Sequence, residues 1–390
     1  MKDSADVVVI GGGANGCAIA YNLAKEKIQT ILVEKDCLCH GASGRCGAMI
    51  WSLWSDSSSK DLAEIGSITL ERFAGLEEEL DADLEYKTED YVVLVFPGRE
   101  TYFREIALNT KKNLGISLDF LKPADIKKMV PYIEVEKNQI VGGYYHYSHP
   151  AESSANPFLT VQALAANAEK LGAKIHTNTE VTGIDVKNGR VETVLTSRGK
   201  ISTRIVVNAA GAWSADVARM AGVKIPTMPY SEEAVVTEPL DPLPYYPLCY
   251  ETWCRQTKSG QIVTGEQKLP IQQPGYNSRT SAYFLARITW ALRRLIPKLG
   301  GVNILRQWAG IEDVTPDELP ILGEVEEVGG LILACGCQGY GFCLSQAMGK
   351  LISDLIAKRE KHRGMEELNL NRFGKKYREY PGRWYASTHS

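Results

Sequence analysis

Val7-Val8-Val9-Ile10-Gly11-Gly12-Gly13-Ala14-Asn15-Gly16 is the stretch that decides how the rest of the chain is read. Four β-favouring residues run straight into glycines spaced G-x-G-x-x-G, and Cys17 to Lys25 then reads as a helix. Gly11 permits the tight turn, Gly13 lets the backbone approach a pyrophosphate, and Gly16 lets the helix pack close to the strand. Gly12, Ala14 and Asn15 complete the loop. A helix N-terminus there offers free N–H groups and the positive end of its dipole, which suits a diphosphate. A second apolar run, Ile31-Leu32-Val33, ends in Glu34. That carboxylate falls about 20 residues beyond the loop, where it grips a ribose hydroxyl. The combination predicts a dinucleotide. NAD and FAD both carry an adenosine ribose and a pyrophosphate, so the stretch does not choose between them.

The whole chain sets wider bounds. At 390 residues it is long enough for two connected domains and a sizeable core. Its 44% hydrophobic and 23% charged content is that of an ordinary globular protein. A net charge of −3 and a pI near 6.2 argue against a nucleic-acid partner or a polybasic membrane surface. No apolar run reaches the roughly 18 residues that a transmembrane segment needs. Met1 to Asp6 are polar, so no signal peptide is expected, and nine cysteines scattered through core-like segments fit reduced thiols in the cytoplasm. Cys37-x-Cys39 and Cys335-x-Cys337 each lack a second pair at familiar spacing, so no metal site is expected.

After Glu34 and Lys35 comes a small, glycine-spaced segment, Gly41-Ala42-Ser43-Gly44-Arg45-Cys46-Gly47-Ala48. Such a segment can run back along a bound dinucleotide and offer N–H groups and the Ser43 hydroxyl to phosphate. Arg45 either pairs with the pyrophosphate or faces a reaction chamber. Asp61 to Leu80 has the apolar spacing of one long helix, and Tyr91 to Val95 that of a strand. Helices are read at Thr101 to Leu114, from Pro123 onward, and at Phe158 to Leu171. Gly142 to Pro150 is aromatic and histidine-bearing, and reads as strand and loop. Strands follow at Lys174–His176 and Thr179–Ile184, with a hairpin at Lys187-Asn188-Gly189-Arg190.

Ile205 to Asn208 reads as a buried strand entering Ala209-Ala210-Gly211-Ala212-Trp213. From Pro226 to Pro297, prolines, tyrosines and alternating residues predict an antiparallel sheet that roofs a pocket, with a helix at Tyr283 to Leu295. The chain then reads as a return to βα texture at Ile304 to Gly310. Leu331-Ile332-Leu333-Ala334 is a last strand, followed by Gly336-Cys337-Gln338-Gly339-Tyr340-Gly341, Phe342 and a helix over Leu344 to Lys358. A second helix end aimed at the same site suits a second place where negative charge develops. Gly374 to Ser390 reads as a disordered end or a docking segment.

Taken in order, five pieces resemble the D-amino-acid-oxidase superfamily of FAD-dependent oxidoreductases. They are Gly11–Gly16 with Glu34-Lys35, Gly41–Arg45, Val206–Trp213, Trp308-Ala309-Gly310 with Thr315-Pro316-Asp317, and Gly339–Phe342. Within it the chain looks most like the group of sarcosine oxidase β subunits and proline and hydroxyproline dehydrogenases. The resemblance implies a mixed α/β chain: a Rossmann-like FAD-binding domain interleaved with an antiparallel-sheet substrate domain. It divides the chain into 1–80, 140–225 and 300–373 for FAD, 81–139 and 226–299 for substrate, and a tail at 374–390.

The resemblance also implies that Val181 neighbours the ADP half of FAD, and that the isoalloxazine ring lies between the Ser43–Gly47 and Gly339–Phe342 loops. Ala210, Gly211, Trp213 and Gly310 would complete the cofactor site. The substrate, an amine or amino acid, would lose hydride from a carbon next to nitrogen, with a second subunit accepting the electrons. Oxidation of an opine or a 2-hydroxy acid, or a non-catalytic electron-transfer role, are the alternatives. Three departures stand out. Glycine and D-amino-acid oxidases place a carboxylate-binding arginine after Trp-Ala-Gly; here Ile311-Glu312 follows. Tyr340 and Cys343 replace the histidine and the lysine or methionine of many relatives. Gly310 stands near the place of a flavin-attaching cysteine, so FAD is expected to be non-covalent. Arg45 and Arg255 are the substitute carboxylate clamps, and Tyr250 and Tyr340 the pocket-lining tyrosines, to be sought in the structure.

Overall fold

The computed structural model describes residues 2–51, 59–88, 91–146, 153–243, 246–249, 252–266 and 274–374. Its opening strand, Val7–Ile10, sits inside a six-stranded sheet. The order across that sheet is Lys174–His176, Thr30–Val33, Val7–Ile10, Ile205–Asn208, Leu331–Cys335 and Ile321–Glu324. The first five strands are parallel and the last is antiparallel to its neighbour. Unbroken Val, Ile and Leu runs are what a sheet covered on both faces demands. Because these strands share a direction, Gly11, Glu34, Ala209 and Gly336 all emerge at one edge, where open α/β sheets bind their ligands.

Helix Ala14–Lys25 starts three residues earlier than the sequence reading, since the glycine loop itself supplies the first turn. It packs tightly on helix Gly341–Ser353: a Cβ added at Gly349 would stand 2.7 Å from Asn22 Nδ2 and 2.8 Å from Ala18 O. The two glycine loops are therefore carried by helices in direct contact.

The helix expected over Asp61 to Leu80 is two helices, Lys60–Ala74 and Leu76–Leu80. Gly75 leaves the helical path (φ −103°, ψ 2°), while Phe73, Leu76 and Leu80 all stay buried. The apolar stripe is real, but it does not record the kink. The helix after the second glycine loop likewise begins at Gly341 rather than Leu344 and becomes π-helical over Asp354–Lys358. There Asp354 accepts from Lys350 (2.6 Å) and Lys358 (2.8 Å).

The antiparallel roof is present, in the order Thr252–Gln256, Gln261–Glu266, Met228–Pro239, Ile304–Val314. Ile304 to Gly310 is thus corrected: it is an edge strand of the roof, paired from Met228↔Val314 to Thr237↔Ile304. Local composition favours a strand but carries no information on its partner's direction. Helix Ala282–Leu295 covers the roof with Phe284, Ile288 and Leu292 against Val235. A second four-stranded sheet joins Tyr246–Cys249, Tyr91–Val95, Gly142–His146 and Leu118–Leu121. In a third, Val181–Lys187 and Arg190–Thr196 form the expected hairpin. Asn188 and Gly189 both take positive φ (51° and 72°), as a type I′ turn requires. Among the described residues no helix is long and apolar enough to cross a membrane.

Candidate active site

The edge of the central sheet and the roof enclose a cavity of about 630 Å³. That lies within the roughly 300–1,000 Å³ common for small-molecule and cofactor sites. One end is the opening loop. Gly11 adopts φ +113°, and a Cβ there would collide with the Ala209 carbonyl, so only glycine fits. Gly16 lies behind the loop: a Cβ added there would overlap the Gly11 carbonyl and stand 3.6 Å from Val9 Cγ1. The Glu34 carboxylate accepts from Gly12 N at 2.6 Å and from Asp36 N at 2.9 Å, which ties the two strand ends together. Ser43 Oγ accepts from Ala14 N at 2.9 Å, so the returning segment is fastened to the helix N-terminus. Within that segment Ala42–Arg45 forms a 3₁₀ turn.

Lys35 Nζ lies 3.4 Å from the centroid of the Trp213 ring, a cation–π contact. Trp213 stacks in turn on Tyr276, with centroids 5.5 Å apart and planes at 10°. Tyr276 donates to Asp216 at 2.6 Å; burial and this bond to a carboxylate push the phenol up.

The second glycine loop forms the other end. Asp313 accepts from Cys337 N at 3.1 Å and from Gly336 N, which fixes the start of the loop. Burial pushes Asp313 up to about 6, against the pull of these N–H groups. Asn15, on the first helix, reaches across to Cys337 Sγ at 3.4 Å, and its Oδ1 is buried with no protein partner. Trp51 N donates to Cys343 Sγ at 3.4 Å, and the Trp51 and Tyr340 rings stand 6.3 Å apart. From the roof, Glu232, Trp253 and Glu312 face the same space. Trp253 Nε1 donates to Glu232 at 2.9 Å.

A family model described as FAD dependent oxidoreductase matches residues 6–355. The chain belongs to this DAO family of FAD-dependent oxidoreductases. It is 28% identical to sarcosine oxidase subunit beta of an Arthrobacter species, over 95% of this chain and 92% of that protein. It is 28% identical to the mitochondrial sarcosine dehydrogenase of Mus musculus, over 96% of this chain but 42% of that protein. The chain therefore spans less than half the length of the sarcosine dehydrogenases it matches. Among solved structures, L-proline dehydrogenase from P. horikoshii superposes with a TM-score of 0.88 at 28% identity, over 96% of this chain and 99% of that one. The Rossmann-like fold and the family resemblance read from the sequence are both borne out by these matches.

The residues present fit FAD. The glycines of the opening loop put no side chain in the way of a pyrophosphate, Glu34 lines the same cavity beside them, and the orphan Asn15 Oδ1 is a polar atom lacking a protein partner. The cavity brings together Gly11, Gly13, Ala14, Asn15, Glu34 and Lys35 with Ala42, Ser43, Arg45, Cys46 and Gly47. Val181, Ala210, Gly211, Trp213 and Gly310 line it too, as do Gly339, Tyr340, Gly341 and Phe342. Gly12 and Gly16 are not in its wall; they support the loop from behind. Arg45 Nη1 donates to Gly41 O at 3.0 Å. Arg255 is outside the wall, with its Nε donating to Gly47 O. Tyr250 lies outside the described residues, as does the tail beyond Gly374.

Several wall residues escaped the sequence reading: Glu232, Asp313, Trp51 and Trp253; Glu312 figured in it only as the residue in place of a carboxylate-binding arginine. The one usable signal was strand parity. Ala234 to Thr237 was legible as a strand, and alternation puts Glu232 on the same face as Ala234.

Proposed function

We propose that this chain oxidises the C–N bond of an amine or amino acid, passing a hydride to FAD, as the catalytic subunit of a hetero-oligomer. The observation that carries the reading is the single cavity, which runs from the ribose-position carboxylate Glu34, past both glycine loops, to a roof of protein side chains. Bound FAD supplies the two-electron acceptor. The chain's own residues do the rest. Glu34, Ser43 and the N-terminus of helix Ala14–Lys25 bind the ADP half. The N-terminus of helix Gly341–Ser353 turns the positive end of its dipole to the redox end, where negative charge is favoured.

Trp253 and the strands of the roof exclude water, and Trp51 and Tyr340 wall the space in which an amine is aligned. Arg45, its guanidinium turned toward Gly41, serves the pyrophosphate end. Arg255 acts as a positioning residue that holds the Gly47 carbonyl. FAD is non-covalent in this reading, which Gly310 supports by offering no side chain for attachment. The relatives named as subunit beta support an electron-accepting partner.

The test is anaerobic mixing of the purified yellow protein with sarcosine, proline, hydroxyproline, opines and simple amines, read at the flavin band. Bleaching by at least one amine, with release of an aldehyde or keto product, is the expected result. Bleaching only by a 2-hydroxy acid, or only by a partner protein, overturns amine oxidation.

A further inference from the structure

The roof carries two carboxylates, and among the described residues it brings no cation to the cavity. The basic side chains that line the cavity, Lys35, His40 and Arg45, all lie on the segment that follows strand Thr30–Val33. All three are engaged: Lys35 over Trp213, His40 with Asp36 at 3.8 Å, and Arg45 with Gly41 O. Opposite them, strand register sets Tyr230 against Glu312 and Glu232 against Gly310. Glu232 and Glu312 are therefore diagonal neighbours on one face of the roof, which brings their carboxyls together.

Trp253 anchors Glu232 from the side. Glu312 packs against the redox-end loop so closely that a Cβ at Gly339 would overlap its Oε1. Burial, with Glu232 and Asp313 beside it, holds Glu312 well above the usual carboxylate range. Two carboxyls brought this close repel each other when both are ionised, so a positive charge beside them is favoured. A substrate carboxylate placed here meets like charge; a protonated nitrogen meets its complement, bordered by the aromatic rings of Trp51, Trp253 and Tyr340.

We propose that Glu312, held in place by Glu232, receives the protonated nitrogen of a net-cationic amine. The cavity then selects amines without a carboxylate over zwitterionic amino acids. This rests on the amine-oxidation reading above and sharpens its substrate class.

The test compares two secondary amines of similar size, sarcosine and N-methylpropylamine, which differ in the carboxylate. Rapid anaerobic mixing with the holoenzyme reads the shift of the flavin band, before reduction, as a dissociation constant for each. Wild type is expected to bind N-methylpropylamine at least about tenfold tighter than sarcosine, the scale of one partly buried charge-assisted contact. Glu312→Gln removes that preference and Glu312→Arg inverts it, each checked for retained FAD by its absorbance ratio. If Glu312→Gln loses FAD, Glu232→Gln is read in its place and must also lower the preference.

Equal or tighter binding of sarcosine by wild type overturns the inference while leaving amine oxidation intact, provided sarcosine bleaches the flavin. An unchanged preference in the Gln variant does the same. If neither amine binds and no amine reduces the flavin, the inference and the reading beneath it fall together.

Discussion

Glu34→Gln is the substitution that separates a ribose ligand from a residue that also builds the loop. In this structure the carboxylate already accepts two backbone N–H groups, from Gly12 at 2.6 Å and from Asp36 at 2.9 Å. Each is a charge-assisted bond, worth about 1.5–3 kcal/mol. Glutamine keeps one oxygen acceptor and turns an NH₂ group toward the other donor, so one N–H is left facing a donor at a cost of about 1–3 kcal/mol. That loss falls on the apoprotein as well as on the complex, because the bonds are internal to the chain.

The midpoint of thermal unfolding of the apoprotein should therefore drop. FAD affinity should fall further, by about 10- to 100-fold, as the ribose loses an anionic acceptor and the loop its shape. Scanning calorimetry of the apoprotein and quenching of FAD fluorescence measure the two effects separately. An apoprotein midpoint equal to wild type would refute the loop-building role, even if FAD binding were weakened.

Three further outcomes follow from the same geometry. Gly16→Ala drives a methyl group into the Gly11 carbonyl, whereas Gly13→Ala meets only Ser43 Oγ at 3.0 Å. The first should cost about 1–3 kcal/mol of stability through overpacking, and the second should chiefly weaken FAD binding; chemical denaturation and FAD titration distinguish them. Asp313 takes up protons more readily in the folded chain than in the unfolded one, with its carboxyl near 6 against an ordinary 3.8. Its contribution to stability is thus fully present below the unfolded value and is lost as pH rises toward 6. Asp313→Asn should remove that slope from the difference in unfolding free energy measured across pH 4 to 6.5 in about half-unit steps. Arg255→Met frees the Gly47 carbonyl and should weaken FAD retention on gel filtration. Unaltered retention would contradict the positioning role.

The opening unit was legible because its signals are local. A hydrophobic run, a glycine spacing and an acidic residue one strand later all concern neighbours in sequence, and the structure puts Gly11, Ala14 and Glu34 on one wall. The second loop was legible for the same reason, strand then glycines then helix. What escaped depends on pairing between distant segments. Glu232 and Glu312 meet only because Met228–Pro239 and Ile304–Val314 pair in a particular register, and the second of these had been read as part of a βα unit. Trp51 and Trp253 face the cavity through packing between sheets, which no periodicity records. The break at Gly75 was hidden because the buried residues on either side continue one apolar stripe. Arg255 reads from the sequence as a substitute carboxylate clamp; its backbone partner, Gly47, lies on a segment far away in sequence.

The central claim is that both glycine loops serve one FAD. Titration of the apoprotein with FAD, followed by anaerobic addition of an amine that bleaches it, tests this most directly. One FAD per chain is expected, released intact by acid, with weakened binding in Gly13→Ala and a changed reduction rate in Glu312→Gln. Failure to bind FAD, or FAD that binds but is left oxidised by every amine offered, would contradict it.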